Sequence, residues 1–451
     1  MNIHTQKGNT FAMDIIAGLT VSFAALSLGA AFGTMSGRGA FAGMIGAAVI
    51  PIITSIFGGT RIQASGPTAP MTAVSALVVA QAYESFADKL LSEQFITLIF
   101  ILNAVFLILL GLFRTGRFIA LVPNVIILGF MNGIGMLIWA DQIKRLFGLG
   151  GKEQITGGIL LNIGIALCTL AGIYLIPLLL KVAGVPTHIR KYLPGMFLTI
   201  VMATILTTVL QTDVEHVSIG ATDGGITSVF ALMAKYLPVS TELYTLDVLK
   251  IALPFALQLT LLAYLDSLLT SLVIDRMTGE KTKQNKELVA QGVANGVTAL
   301  FQGIPGAQAT IRSVLLIKEG AQTRLAGIMV GFFALLGFLL FANYISLITS
   351  AVFMGVLFKA GLDVMDRDFP KAYFKGGWFG SRKRNIQLFF ILFSTLVTVF
   401  IDLNVAVFTG TVMFYLGKKY WSFEDAEDGF EEVHLDEVED DETVLNPSVS
   451  H

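Results

Sequence analysis

From Phe11 to Gly417, apolar runs follow one another with only short polar breaks between them. The unbroken runs are about 20 residues long, enough for a helix to cross a hydrocarbon core of ~30 Å. None alternates with a period of two, and each exceeds the ~10 residues of a barrel strand, so the pattern predicts helices. About fourteen runs meet that length.

Two runs are broken. Ser65-Gly66-Pro67-Thr68-Ala69-Pro70-Met71-Thr72-Ala73-Val74 and Pro305-Gly306-Ala307-Gln308-Ala309-Thr310-Ile311-Arg312-Ser313-Val314 lie 240 positions apart and align without a gap at glycine, alanine and valine. Glycine and proline halt helix propagation and let backbone approach a ligand, so spans 3 and 10 are expected to hold half-helices beginning just after these breaks. The same offset pairs Leu19-Thr20 with Leu259-Thr260, and Ser27-Leu28 with Ser267-Leu268. The expected fold is therefore an all-α polytopic membrane protein of two repeats, the second inverted because each has an odd number of spans. Its expected parts are a cytoplasmic N-terminus (1–10), repeat 1 (11–211), an extracellular connection (212–247), repeat 2 (248–417) and a tail (418–451).

Composition agrees: 54% of the 451 residues are hydrophobic and 14% charged, and the mean hydropathy is +0.74, far from soluble-domain averages. Polar residues precede a first run that continues as a full span, so no cleavable signal is expected. The single Cys168 rules out an internal disulfide and argues against a metal cluster. The net charge of −2 hides an asymmetry, because 12 of the 32 acidic residues lie between Glu424 and Glu442, leaving 30 basic against 20 acidic residues before them. A block of like charge without apolar periodicity predicts a disordered, solvated tail.

Basic loops set the orientation. Arg114 and Arg117; Lys181, Arg190 and Lys191; Arg276, Lys281, Lys283 and Lys286; Lys318 and Arg324; and Arg367 to Arg384 are expected inside. The stretches from Glu84 to Glu93 and from Asp213 to Asp247 then face outward, with both termini cytoplasmic and the chain in the inner (plasma) membrane. Lys144, Arg145 and Lys152 resist this scheme, falling on the expected outer side.

Three ionisable residues stand out within the spans: Asp266, Arg312 and Asp402. Each costs about 2.5–3.5 kcal/mol at a helix centre, so each is a functional candidate. Asp402, between two short apolar runs, reads as the tip of a re-entrant hairpin. Asp266 and Thr270 share a helix face at i and i+4, bordered by Ser267. With carbonyls from a broken neighbour they would supply oxygen ligands for sodium; a proton carrier and a structural aspartate are the other open readings. Half-helices starting near Thr68-Ala69 and Ala309-Thr310 would offer free N–H groups and positive dipole ends, and two such ends make an anion site. Arg312, about one turn into the second, either adds charge there or snorkels to the interface beside Lys318. Phosphate-loop motifs and a Ser/His/Asp set are absent, so an enzyme is not expected; no nucleic-acid partner is expected either.

The chain resembles the SulP family of anion transporters, bacterial relatives of the solute carrier 26 group. The resemblance covers about residues 12–370 through Asp14-Ile15-Ile16-Ala17-Gly18-Leu19-Thr20, Phe57-Gly58-Gly59-Thr60, Gly66-Pro67-Thr68-Ala69-Pro70-Met71-Thr72, Asn285-Lys286-Glu287-Leu288-Val289-Ala290-Gln291-Gly292-Val293-Ala294-Asn295 and Gly303-Ile304-Pro305-Gly306. Leu265-Asp266-Ser267-Leu268-Leu269-Thr270-Ser271 and Ala309-Thr310 are most similar to the family's sodium-dependent bicarbonate carriers. The resemblance implies fourteen spans in two inverted repeats of seven, a core domain (spans 1–4 and 8–11) and a gate domain (5–7 and 12–14) that move as an elevator. It implies an anion between spans 3 and 10, and sodium held by Asp266, Thr270 and the backbone at Gln308, Ala309 and Thr310. The anion-site candidates are thus Ser27, Gly66, Thr68, Ala69, Gln308, Ala309, Thr310 and Arg312. Ser27 stands where the family carries proline, and Gln308 where it carries a small residue; both add polar groups beside the site. The family usually continues into a STAS domain after the last span; here the acidic tail is expected in its place, which leaves a homodimer open.

The expected function is secondary active transport of a small inorganic anion, sodium-coupled bicarbonate symport first, with no cofactor beyond the coupling ion. Proton-coupled sulfate or dicarboxylate symport and an uncoupled channel or voltage-responsive protein are alternatives. A nucleobase carrier is disfavoured, because span 10 holds Arg312 and no acid.

Overall fold

A computed structural model of the protein describes residues 10–149, 154–186, 195–217, 234–345, 347–366, 368–375, 382–401 and 403–418. Residues 1–9, Lys152, Arg190, Lys191, residues 218–233 of the connection, Arg367, Asp402 and the acidic tail lie outside the described residues.

The first half runs α1 (Thr10–Met35), α2 (Ala40–Phe57), β1 (Ser65–Gly66), α3 (Ala69–Ser85), α4 (Lys89–Leu112), α5 (Asn124–Phe147), α6 (Ile159–Val182) and α7 (Gly195–Val209). The second half repeats the opening order with α8 (Leu246–Thr278), α9 (Gln284–Leu300), β2 (Ala307–Gln308), α10 (Thr310–Lys318) and α11 (Arg324–Ile345). It continues with α12 (Ser350–Val364), α13 (Asp368–Lys375), α14 (Arg382–Phe400) and α15 (Leu403–Lys418). Among the described residues six helices, α1, α2, α4, α5, α6 and α8, are by length and composition able to cross a membrane, and shorter apolar stretches lie in α7, α11, α14 and α15.

The described chain divides into two compact units. One takes in the described residues within Met1–Ile119 and Leu137–Leu362. In it the two halves interleave: α4 packs on α8 and α9, α2 on α9 and α11, and α1 on α11. Small residues permit close crossing, as expected where lipid provides no hydrophobic drive and helix contact rests on packing. A Cβ on Gly43 of α2 would lie 1.8 Å from the Gly29 carbonyl of α1. Alanines and valines of α1 and α11 join Ala64 and Leu316 in one buried cluster around the broken segments. The buried Asp14 fastens α1 to the turn before α11, its carboxylate accepting from the Gln322 and Thr323 amides (2.7 and 3.2 Å) and from the Thr323 hydroxyl. Arg145, awkward for the topology, is answered by Glu215, 2.6 Å away. Glu215 in turn accepts from Ser350 at 2.9 Å, so the charge is locally offset.

The other unit takes in the described residues within Ala120–Met136 and Asp363–His451. Its described core gathers Ile126, Phe369, Tyr373, Phe390 and Phe414, with α14 against α15.

The count of ionisable residues in the helices needs correction. Asp14 and Glu287 are both fully buried (0% exposed). Each sits near a helix start and accepts from backbone amides distant in sequence, which hydropathy does not register.

Candidate functional site

The two breaks meet. Helix α2 stops at Phe57 before Gly58-Gly59, and the chain reaches β1, Pro67 and Thr68 before α3 begins at Ala69 with proline in its first turn, where a missing N–H costs nothing. Helix α9 ends at Leu300, and residues 301–306 lead into β2 before α10 begins at Thr310. The strands pair antiparallel, Ser65 with Gln308 and Gly66 with Ala307. The ladder requires glycine: Gly66 has φ +149°, and a Cβ on Gly306 would lie 2.2 Å from the Gly66 carbonyl oxygen. Both half-helices lack a side-chain cap, so their first amides are available to a solute.

Helix α8 bridges the two starts. Asp266 accepts from the Thr68 hydroxyl at 2.8 Å, which places it against the start of α3. One turn on, Thr270 donates to the Gln308 carbonyl at 3.1 Å and lies 2.6 Å from the Thr310 hydroxyl, against the start of α10. The Ser267 hydroxyl accepts from the Gln308 amide at 3.3 Å. Thr270 Oγ1, Thr310 Oγ1 and the Gln308 carbonyl thus converge as three oxygens beside a carboxylate-bearing helix face. A hard cation takes such a set.

Arg312 is 2% exposed, so it does not snorkel. Its Nη2 donates to the Pro67 carbonyl at 2.9 Å, while Nη1 has no hydrogen-bond partner. A Cβ on Gly66 would lie 2.9 Å from that Nη1. The guanidinium therefore lies under the opposite broken segment, and among the described residues no carboxylate pairs with it. A buried charge left with one carbonyl carries a desolvation cost of several kcal/mol, which an anion would offset.

The remaining predicted residues fall unequally. Ala69 is buried, whereas Thr310 and Ile311 are exposed at the start of α10. Ser27 turns its hydroxyl to the Phe23 carbonyl of its own helix at 2.8 Å, and the hydrogen bonds do not bring it to the other candidates. The Gln308 side chain has its carbonyl 3.4 Å from the Thr60 hydroxyl and leaves Nε2 without a partner. Thr60 begins a polar chain that sequence reasoning missed, running through Thr282 (3.1 Å) to Asp275 (2.7 Å), beside a small polar cavity lined also by Arg61, Glu280 and Lys281. No sequence signal ties Thr60 to Asp275, because their proximity depends on how the loop before β1 folds onto the end of α8.

The sequence model of the Sulfate permease family matches residues 11–375. The chain belongs to that family. The bicarbonate transporter BicA of Picosynechococcus sp. is 31% identical over 414 residues, covering 89% of this chain and 69% of the relative. YvdB of Bacillus subtilis, named for sulfate transport, is 30% identical over 412 residues, covering 90% of this chain and 73% of the relative. Among solved structures, the transmembrane domain of a cyanobacterial BicA superposes with a TM-score of 0.72 at 29% identity, covering 88% of this chain and 98% of that one. This sulfate permease family member is therefore a multi-pass membrane protein and an anion transporter, with relatives that are transporters and not enzymes.

Proposed function

We propose that this chain is a sodium-coupled symporter of a small inorganic anion, bicarbonate first, working by an elevator motion. The observation that carries the reading is that one face of α8 reaches both half-helix starts, Asp266 through Thr68 and Thr270 through Thr310 and the Gln308 carbonyl. A cation held by Asp266, Thr270 and the backbone at Gln308, Ala309 and Thr310 would draw the two starts into place. The anion would then sit against the uncapped amides at Thr68-Ala69 and at Thr310, with Gly66 allowing close approach and the unpaired Nη1 of Arg312 supplying charge; the Ala309 amide is not available, because it donates to the Ala64 carbonyl at 3.3 Å. Sodium and anion are both cargo here, and each strengthens the other's site because opposite charges meet in a medium of low dielectric. The similarity to BicA favours bicarbonate, and sulfate follows from relatives such as YvdB. The inverted pair of seven-span repeats, the homodimer, the inner membrane and the cytoplasmic termini belong to the same proposal.

The test is bicarbonate uptake into proteoliposomes. An inward sodium gradient is expected to drive accumulation, and Asp266→Asn to abolish it while leaving the protein folded. Uptake of equal size without sodium, collapsing when a proton gradient is dissipated, would replace sodium with proton coupling; conductance at channel rates would refute symport.

A further inference from the structure

One motif has no place in the solute site: the polar stripe of α9. Glu287, Gln291 and Asn295 recur at i, i+4 and i+8, hence on one face, and all three are 0% exposed. At the 240-residue offset they fall on Ala47, Pro51 and Ser55 of α2, so only the second half carries the stripe.

The hydrogen bonds of that face run to both breaks. Glu287 Oε2 accepts from the Gly59 amide (2.7 Å), the Thr60 amide (2.9 Å) and the Gln63 side chain (3.1 Å). Gln291 Nε2 donates to Glu287 Oε1 at 2.9 Å and to the Ser65 hydroxyl at 2.7 Å. Ser65 closes the cycle by donating to Gln63 Oε1 at 3.1 Å. One turn beyond Gln291, Asn295 grips Gly306 like a strand partner, accepting from its amide and donating to its carbonyl, both at 2.9 Å.

Irregular backbone at membrane depth persists only where protein or water satisfies its polar groups, and here α9 does so for both breaks. Glu287 and Gln291 hold the first break from Gly59 to the ladder residue Ser65. Asn295 holds the second at Gly306, one residue before the ladder. The eight-residue spacing makes the stripe a rigid ruler of about 12 Å.

We propose that Glu287, Gln291 and Asn295 are positioning residues, which set the relative placement of the two half-helix starts and thereby the affinity for the anion, without touching it. This rests on the proposed function only in that the starts cradle the solute. A pair of helix ends held on one side alone would be free to slide by the fraction of an ångström that degrades a preorganised anion site.

The experiment uses the full chain in proteoliposomes and in detergent, with bicarbonate as the probe. Glu287→Gln places an amide N–H against donors, and Asn295→Asp keeps the acceptor for the Gly306 amide but removes the donor to its carbonyl. Each variant is expected to raise KM for bicarbonate at least tenfold, with the maximal rate per folded transporter changed less than threefold. Val293→Ala, on the partly exposed face of α9, is expected to leave both unchanged. Hydrogen exchange supplies a readout independent of solute identity: amides of residues 59–66 are expected to exchange faster in Glu287→Gln, and those of 303–308 in Asn295→Asp. Wild-type KM in variants that fold, or unchanged exchange at both breaks, would overturn the inference. Selective exchange changes in a protein that carries no bicarbonate under any gradient would refute the proposed substrate while upholding the positioning role.

Discussion

Replacing Arg312 with methionine separates stability from binding. The substitution keeps an unbranched apolar stem but removes a guanidinium that is 2% exposed, bonded to one carbonyl and left with a free Nη1. Two effects on the anion-free protein oppose each other. Losing the 2.9 Å bond leaves the Pro67 carbonyl unpaired, a cost of about 1–3 kcal/mol. Removing the buried charge recovers a desolvation penalty of several kcal/mol, so the anion-free variant is expected to melt at or above the wild-type temperature. With the anion bound the sign reverses. A hydrogen bond between charged partners contributes about 1.5–3 kcal/mol, so the variant should bind bicarbonate about 10- to 100-fold more weakly. Arg312→Lys, which keeps the charge without the planar fork, is expected between the two. Thermal melting in detergent across a bicarbonate titration measures both quantities at once, because a ligand that binds the folded form raises its melting temperature. Affinity of Arg312→Met within twofold of wild type would refute the placement of the anion beside Nη1, and a collapse of the anion-free protein would refute the claim that the charge costs stability.

Thr270→Val removes the hydroxyl that meets Thr310 and the Gln308 carbonyl; sodium KM is expected to rise about tenfold with bicarbonate KM at saturating sodium held within twofold, a cost of the size of one hydrogen bond, measured by uptake at varied sodium. Asp14→Ala strips the turn before α11 of its carboxylate acceptor and should lower stability by about 2 kcal/mol, read by melting, with the KM of the folded fraction unchanged.

Much of the fold was legible because a bilayer dictates both the length and the polarity of a crossing helix. The breaks at Ser65–Pro70 and Pro305–Thr310 were legible because the glycine and proline pattern recurs at a 240-residue offset, and helices do begin at Ala69 and Thr310; one such break alone would read equally as a kink or a packing position. Asp266 with Thr270 could be read from helical spacing. What α8 touches could not: that Asp266 meets Thr68 and Thr270 meets Thr310 depends on a two-residue ladder between segments 240 positions apart. Arg312 illustrates the same gap, because its long stem reaches either an interface or a buried carbonyl, and only packing chose Pro67. The contacts of α9 were harder to read. Its inward polar face lowers the mean hydropathy that marks a span, while the i, i+4, i+8 stripe of Glu287, Gln291 and Asn295 was a signal present in the sequence.

Because α8 touches both half-helix starts, the proposed cation and anion sites are linked, and such linkage is reciprocal. The most direct measurement is the equilibrium affinity for bicarbonate in sodium against choline, for wild type and Asp266→Asn. Binding at least tenfold tighter in sodium is expected for wild type, with no difference in the variant. Equal affinity in the two salts for wild type would contradict this linkage.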